Sequence, residues 1–118
     1  MSKQFRADVV GSFLRPAELK DARAKFANGQ ISAKDLRDVE NRLITDLIAK
    51  QKTHGLHFIT DGEFRRSYWH LDFMWGFNGA EHIELDHGYQ FHGEETTHGS
   101  VKLTGKITGD NHPFIKDF

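Results

Sequence analysis

The sequence contains no cysteine. This absence excludes disulfide bonds and removes every thiolate from the set of possible metal ligands. Any metal site within these residues would have to use histidine and carboxylate side chains alone. The absence is also typical of proteins from a reducing compartment.

Long apolar runs are missing as well. No stretch approaches the ~20 apolar residues that cross a bilayer, and the first ten residues, MSKQFRADVV, lack the apolar centre of a secretory signal. We therefore expect a cytoplasmic protein that has no membrane partner.

The charges are balanced rather than of one sign. Sixteen basic residues stand against seventeen acidic ones, and the longest basic run is Arg65-Arg66. A nucleic-acid-binding surface needs a cluster of Lys and Arg, so we expect no nucleic-acid partner. The 37% apolar and 28% charged residues are typical of a folded domain, but 118 residues are fewer than the ~250 of a closed eight-stranded α/β barrel.

Residues 1–67 carry the pattern of a strand-helix-strand (βαβ) unit. Residues 7–13 (ADVVGSF) form a short β-branched run before a Gly-Ser turn, and residues 56–60 (LHFIT) form a second short apolar run. Between them the spacing of apolar residues predicts two helices, of which the longer is capped by Ser32 and ended by Gly55. Because a helical crossover makes the flanking strands parallel, we predict an α/β fold.

Residues 68–118 have a different pattern. The segment 68–81 is rich in aromatic residues and is predicted to be a connecting loop or short helix. Apolar and polar residues alternate over residues 82–109, which predicts a β-hairpin excursion of antiparallel strands. Residues 110–118, with Pro113 near a first helical position, predict the start of a truncated helix. We thus interpret residues 1–118 as a single partial domain.

A site is expected where the two predicted strands end. Ligands of parallel α/β sheets bind beyond the carboxyl ends of the strands, so Gly11 and Ser12 should lie beside Asp61 and Glu63. The Ser12 hydroxyl and nearby backbone N–H groups could bind a substrate. The carboxylates of Asp61 and Glu63 share one face of an extended backbone and could perform acid/base work, bind a metal or bind an ammonium group. Arg15 could contact a substrate anion.

These residues also have purely structural interpretations. Asp61 and Glu63 could pair with Arg65 and Arg66, and Ser12 could be an ordinary turn serine. Four of the eight histidines fall five, five and six residues apart, which puts neighbours on opposite faces of a strand. We therefore predict no metal site made by these histidines alone.

The order of two motifs adds a resemblance to a known family. "VGSFLRP", a long amphipathic helix and "ITDGEFRRSYWHLDF" together resemble the amino-terminal portion of the cobalamin-independent methionine synthase family, specifically its catalytic barrel and the single-domain bacterial relatives of that barrel. The resemblance implies the first part of a (β/α)8 barrel of the TIM type, here with a β-hairpin insertion.

The resemblance also implies an activity. The family transfers a methyl group from methyl-tetrahydrofolate to the thiol of homocysteine and uses zinc to hold the sulfur as a thiolate. By position, Ser12 would contact the amino-acid end of the substrate and Glu63 would hold its ammonium group. The zinc ligands are expected downstream of residue 118, so the 118-residue chain alone is expected to be inactive. It is expected to form a homo-oligomer or to associate with the remainder of a barrel.

Two departures from the family pattern leave other functions open. Leu14-Arg15-Pro16 stands where relatives that synthesise methionine usually have Pro-Gln-Thr, and Asp61 stands where they usually have His. The methyl donor and acceptor therefore stay open. Two alternatives are a small α+β interaction module without catalysis and a barrel enzyme with a carboxylate-assisted reaction of Asp61 and Glu63.

Overall fold

The computed structural model describes residues 9–68, 70–88, 90–91, 94–95 and 98–117. The chain forms two compact units, Met1–Arg66 and Ser67–Phe118. The first unit contains helices α1 (Ala17–Ala27) and α2 (Ala33–Thr53). The second contains helix α3 (Leu71–Trp75), strands β1 (Asn78–Glu84), β2 (Gln90–Phe91), β3 (Glu94–Glu95) and β4 (Gly99–Thr108), and a 3-10 helix (Pro113–Asp117). Within the described residues, no helix combines the length and the apolar content that crossing a bilayer requires.

Helix α2 begins and ends at the residues that the sequence predicts. The Ser32 hydroxyl accepts a hydrogen bond from the Asp35 amide at 3.1 Å, and the Asp35 carboxylate accepts one from the Ser32 amide at 3.0 Å. This reciprocal capping box satisfies backbone donors that the first turn leaves without helical partners. At the other end, Gly55 takes a left-handed conformation with φ of 76°, which glycine adopts without a steric cost.

The core of the first unit lies between its two helices. Leu19 of α1 packs with Leu43 and Ile44 of α2, and Phe64 inserts into the same cluster with only 2% of its surface exposed. Burying a phenylalanine side chain stabilises a fold by about 1.5–3 kcal/mol. The segment around Phe64 is therefore fixed to the helices by apolar packing.

The two parallel strands predicted for the first unit are absent from its described residues. Residues 9–13 and 56–60 take no strand conformation. The segments share one backbone hydrogen bond, from the Phe13 amide to the Gly62 carbonyl at 3.1 Å, whereas a strand needs a ladder of such bonds. Backbone groups of Thr60 bond instead to the side chain of Gln51, at 3.1 and 2.8 Å. The helices of the βαβ prediction are confirmed, and residues 9–13 and 56–60 do not form the predicted strands; residues 7 and 8 of the first predicted strand lie outside the described residues.

The second unit is built around an antiparallel pair of strands. β1 pairs with β4, with Ala80 opposite Leu103 and Glu84 opposite Gly99. The two-residue strands β2 and β3 pair with each other. The register shifts between Asn78 and Ala80, where Gly79 has φ of 80°. A Cβ at Gly79 would lie 2.5 Å from the Lys106 carbonyl oxygen, so the irregularity requires glycine. The sequence predicts the hairpin from about residue 82, and the first strand begins four residues earlier.

The ends of the second unit meet around one histidine. His112 is buried, its Nε2 lies 2.8 Å from the Phe73 carbonyl oxygen, and the rings of Phe73 and Phe77 lie 5.0 Å from the imidazole. The helix predicted to start in residues 110–118 is a single 3-10 segment after this histidine. Helix α3 occupies part of the predicted connecting segment 68–81.

Candidate functional site

The two segments that carry the predicted site residues meet in the first unit. The hydrogen bond from Phe13 to Gly62 joins the residue after Ser12 to the residue before Glu63. The Arg15 guanidinium donates a further bond to the Glu63 carbonyl oxygen at 3.1 Å. The predicted proximity of the two segments is therefore confirmed. It does not come from paired strands, since residues 9–13 and 56–60 take no strand conformation.

Residues 61–63 form a tight turn whose last residue, Glu63, has a strained backbone. The Asp61 carboxylate accepts a hydrogen bond from the Glu63 amide at 2.9 Å, as in an Asx turn. Gly62 has φ of 69° and Glu63 has φ of 58°. A left-handed backbone costs a residue with a side chain on the order of 1–3 kcal/mol, and such conformations cluster at functional sites. The turn therefore favours a functional interpretation of Glu63.

Gly62 is required by the packing as well as by its backbone. A Cβ at this position would lie 2.5 Å from the Leu47 side chain, 3.2 Å from Phe64 and 3.3 Å from Phe13. The turn thus lies directly on the core residues of the first unit. This close packing of Gly62 fixes the position of the backbone from which the Glu63 side chain extends.

Helix residues also hold the turn from both sides. Arg23 of α1 donates a hydrogen bond to the Phe64 carbonyl oxygen. Arg65 donates to the Glu40 carboxylate of α2 at 3.0 Å and to the Asn41 side chain at 2.5 Å. In the structural alternative, Arg65 would pair with Asp61 or Glu63, whereas the bonds described for its guanidinium go to Glu40 and Asn41 of α2.

The Arg65–Glu40 pair is a buried feature that the sequence interpretation missed. Side-chain exposure is 18% for Arg65 and 11% for Glu40. Burial raises the pKa of the Glu40 carboxyl, and the hydrogen bond and charge of Arg65 partly oppose that rise. One signal for this pair was available, since Glu40 falls four residues after Leu36 and three before Leu43, on the apolar side of α2.

The predicted substrate-binding residues differ in what they contact. Gly11, Ser12 and Asp61 are exposed and Glu63 is half-buried. The Glu63 carboxylate makes no hydrogen bond or ion pair with the part of the chain that the structure describes. Arg15, in contrast, donates from Nη2 to two carbonyl oxygens, those of Glu63 and Arg66. Their roles toward a substrate stay predictions.

The chemistry that this arrangement permits is recognition of a small polar molecule. An accessible carboxylate can bind an ammonium group, and a nearby hydroxyl can donate to or accept from a second polar group. Among the described residues, no group of three or more His, Cys, Asp or Glu side chains could hold a metal ion.

A cavity of about 440 Å³ in the second unit has a different character. Leu71, Met74, Leu85 and Val101 supply apolar walls, with the rings of Tyr68 and His70 beside them. Its described lining contains no carboxylate, lysine or arginine side chain. The turn at residues 61–63 is therefore the better candidate for a ligand that carries charges.

Comparisons with known proteins relate the chain to one family. The family described as "Cobalamin-independent synthase, Catalytic domain" matches residues 5–89. The "Uncharacterized protein YxjH" of Bacillus subtilis (strain 168) is 49% identical over 97% of the chain, and the "Methionine synthase" of Sulfolobus acidocaldarius is 27% identical over 92% of it. A crystal structure described as the "Putative Vitamin-B12 Independent Methionine Synthase from Listeria monocytogenes" is 48% identical over 97% of the chain with a TM-score of 0.74.

The match to the family covers well over half of the residues. This chain belongs to the cobalamin-independent methionine synthase family, in the part that corresponds to the catalytic domain. The chain spans about 30% of the length of the Bacillus relative and of the Listeria structure.

Proposed function

We propose that the chain carries the amino-acid-binding part of a methyltransferase that transfers a methyl group from methyl-tetrahydrofolate to homocysteine. The observation that carries the proposal is the left-handed backbone of Glu63, next to a residue, Gly62, that bonds to the residue after Ser12. The names of two relatives, "Methionine synthase" and "5-methyltetrahydropteroyltriglutamate--homocysteine methyltransferase", support the choice of reaction.

In this proposal each site residue has a separate task. The Glu63 carboxylate binds the ammonium group of homocysteine, because a charge-assisted hydrogen bond to an accessible acceptor is among the stronger polar interactions. The Ser12 hydroxyl and the backbone next to Gly11 bind the substrate carboxylate. Asp61 contributes mainly by holding the Glu63 amide, at 2.9 Å.

The methyl transfer itself needs groups that the described residues do not provide. In the proposed enzyme a zinc ion would bind the homocysteine sulfur, and its ligands would come from residues beyond 118 in a (β/α)8 barrel. Recognition of the amino-acid end of the substrate is separate from that chemistry. Binding can therefore be tested on the 118-residue chain without a metal.

The exposed apolar residues of the first unit support an associated state. Val10, Leu14 and Phe58 are 88%, 90% and 72% exposed. Contiguous patches of exposed apolar side chains mark surfaces that another protein segment covers. We propose that this chain alone associates with a second copy of itself, and that further barrel residues would replace that copy.

Isothermal titration with L-homocysteine tests the proposed binding site. The wild-type chain should bind L-homocysteine better than 4-mercaptobutanoic acid, which lacks the ammonium group. Glu63→Gln should weaken homocysteine binding about tenfold or more, since hydrogen bonds to charged groups contribute about 1.5–3 kcal/mol.

A matched control removes a different carboxylate. Glu81 is exposed on β1 in the second unit, and Glu81→Gln should leave the affinity unchanged. Equal affinities of the wild-type chain for the two ligands, or equal affinities of the Glu63→Gln and wild-type chains for homocysteine, would contradict the proposal. So would the absence of homocysteine binding to a wild-type chain whose helical circular dichroism is intact.

A further inference from the structure

Arg15 is the side chain whose contacts differ most from what its position in the motif indicates. It follows the GSF segment, where a cation could meet the anionic end of a substrate. Its Nη2 instead lies 3.1 Å from the Glu63 carbonyl oxygen and 2.7 Å from the Arg66 carbonyl oxygen. A second turn follows at residues 63–66, where the Arg66 amide bonds to the Glu63 carbonyl oxygen. The Arg15 Nη2 thus joins the first segment of the site to both ends of this second turn.

The Nε of Arg15 is also buried. It has no hydrogen-bond partner among the described residues. A buried donor without a partner has a free-energy cost, so the side chain takes this position only because other contacts offset that cost. The two bonds from Nη2 are charge-assisted, which is the kind of contact that can do so.

The carbonyl oxygen that Arg15 reaches belongs to the strained residue. Glu63 has φ of 58°, and its carbonyl oxygen also accepts a bond from the Arg66 amide at 3.0 Å. Its own amide donates to Asp61. Both backbone polar groups of Glu63 are therefore fixed, while its carboxylate makes no bond with the described residues.

We propose that Arg15 is a positioning residue that holds the left-handed backbone of Glu63 and so directs the Glu63 carboxylate toward the ligand. The inference rests on the proposed function for the nature of that ligand. It differs from a direct contact between Arg15 and a substrate anion, because the guanidinium acts on the protein backbone. The usual family motif has a neutral residue at the position of Arg15. We therefore expect this positioning role only in chains with the Gly-Ser-Phe-Leu-Arg-Pro sequence.

The test measures the turn directly, by amide hydrogen exchange followed with ¹H–¹⁵N NMR. In Arg15→Met, exchange at the Glu63 and Arg66 amides should rise about tenfold, because the loss of two hydrogen bonds permits local opening. Arg15→Lys keeps a positive donor without the planar fork and should give a smaller rise.

Arg42→Met provides the matched control. Arg42 of α2 binds Glu18 of α1, and among the described residues no hydrogen bond joins it to residues 61–66. This variant should leave exchange at Glu63 and Arg66 unchanged. Equal exchange at those two amides in Arg15→Met and Arg42→Met would overturn the proposal.

A measurement on the unchanged chain covers the case in which Arg15→Met does not fold. Rotation about the guanidinium bonds of Arg15 should be slow enough to give separate Nη signals at low temperature. A single averaged signal, as for a solvent-exposed arginine, would overturn the proposal.

The proposed function and this inference fail in different ways. If homocysteine does not bind but exchange at the turn rises in Arg15→Met, the positioning role stands and the assigned ligand is wrong. If Glu63→Gln abolishes homocysteine binding while Arg15→Met changes neither exchange nor affinity, the site stands and Arg15 does not position it.

Discussion

Two neighbouring stretches of the first unit, residues 56–60 and residues 61–66, are held in very different ways. The earlier stretch exposes Phe58, and its described hydrogen bonds to the helices all go to one residue, Gln51, through its side chain and its carbonyl oxygen. The later stretch buries Phe64 and receives bonds from Arg15 and Arg23. The comparison teaches that the helices, rather than a sheet, order the candidate site in this chain.

The largest expected effect separates the two phenylalanines. Phe64→Ala should lower the free energy of unfolding by about 3–5 kcal/mol, because it empties a buried position between the helices. Phe58→Ala, at an exposed position, should change it by about 0.5 kcal/mol or less. Urea denaturation followed by circular dichroism at 222 nm measures both. Equal effects of the two substitutions would show that the stretches are held alike.

A second prediction compares two glycines with similar backbones. Gly55→Ala should cost about 1–2 kcal/mol from its left-handed conformation alone, since nothing lies within 4 Å of the added Cβ. Gly62→Ala adds a clash with Leu47 and should cost about 1 kcal/mol more. The same denaturation measurement gives the difference. If Gly62→Ala is no worse than Gly55→Ala, the turn does not lie on the core as described.

The smallest expected effect is a pH dependence at the base of the turn. Burial raises the pKa of Glu40 in the folded state above its ordinary value, so the folded state binds this proton more tightly than the unfolded state does. The contribution of Glu40 to stability is therefore fully present below the ordinary pKa and falls as pH rises through the raised value.

Comparison with Glu40→Gln isolates that contribution. The stability advantage of the wild-type chain over Glu40→Gln should be larger near pH 4 than near pH 6.5. Glu81→Gln, at an exposed position, controls for removal of a carboxylate. A wild-type advantage that grows as pH rises would mean that pairing with Arg65 outweighs burial.

The sequence predicted the helical part of the first unit because its signals are local. Ser32, Asp35 and Gly55 act within a few residues of themselves, and the apolar spacing of α2 repeats over several turns. The predicted strands failed for the opposite reason. A short apolar run becomes a strand only when a neighbour pairs with it, and Gln51 meets the backbone of Thr60 instead.

The proximity of the two candidate-site segments was predictable from the sequence, but the side-chain contacts that hold them were not. The motifs indicate that Ser12 and Glu63 meet, and one hydrogen bond between their neighbours confirms the proximity. The direction of the Arg15 and Arg65 side chains could not be read from the sequence, because each depends on carbonyl or carboxylate groups about 25 to 50 residues away.

The central claim is that the Gly11–Ser12 segment and the Glu63 turn form one binding site. The most direct measurement is a ¹H–¹⁵N NMR titration of the 118-residue chain with L-homocysteine. We predict that the Ser12 and Glu63 amide signals shift together and fit a single Kd. Shifts at only one of the two segments, or at neither, would contradict the claim.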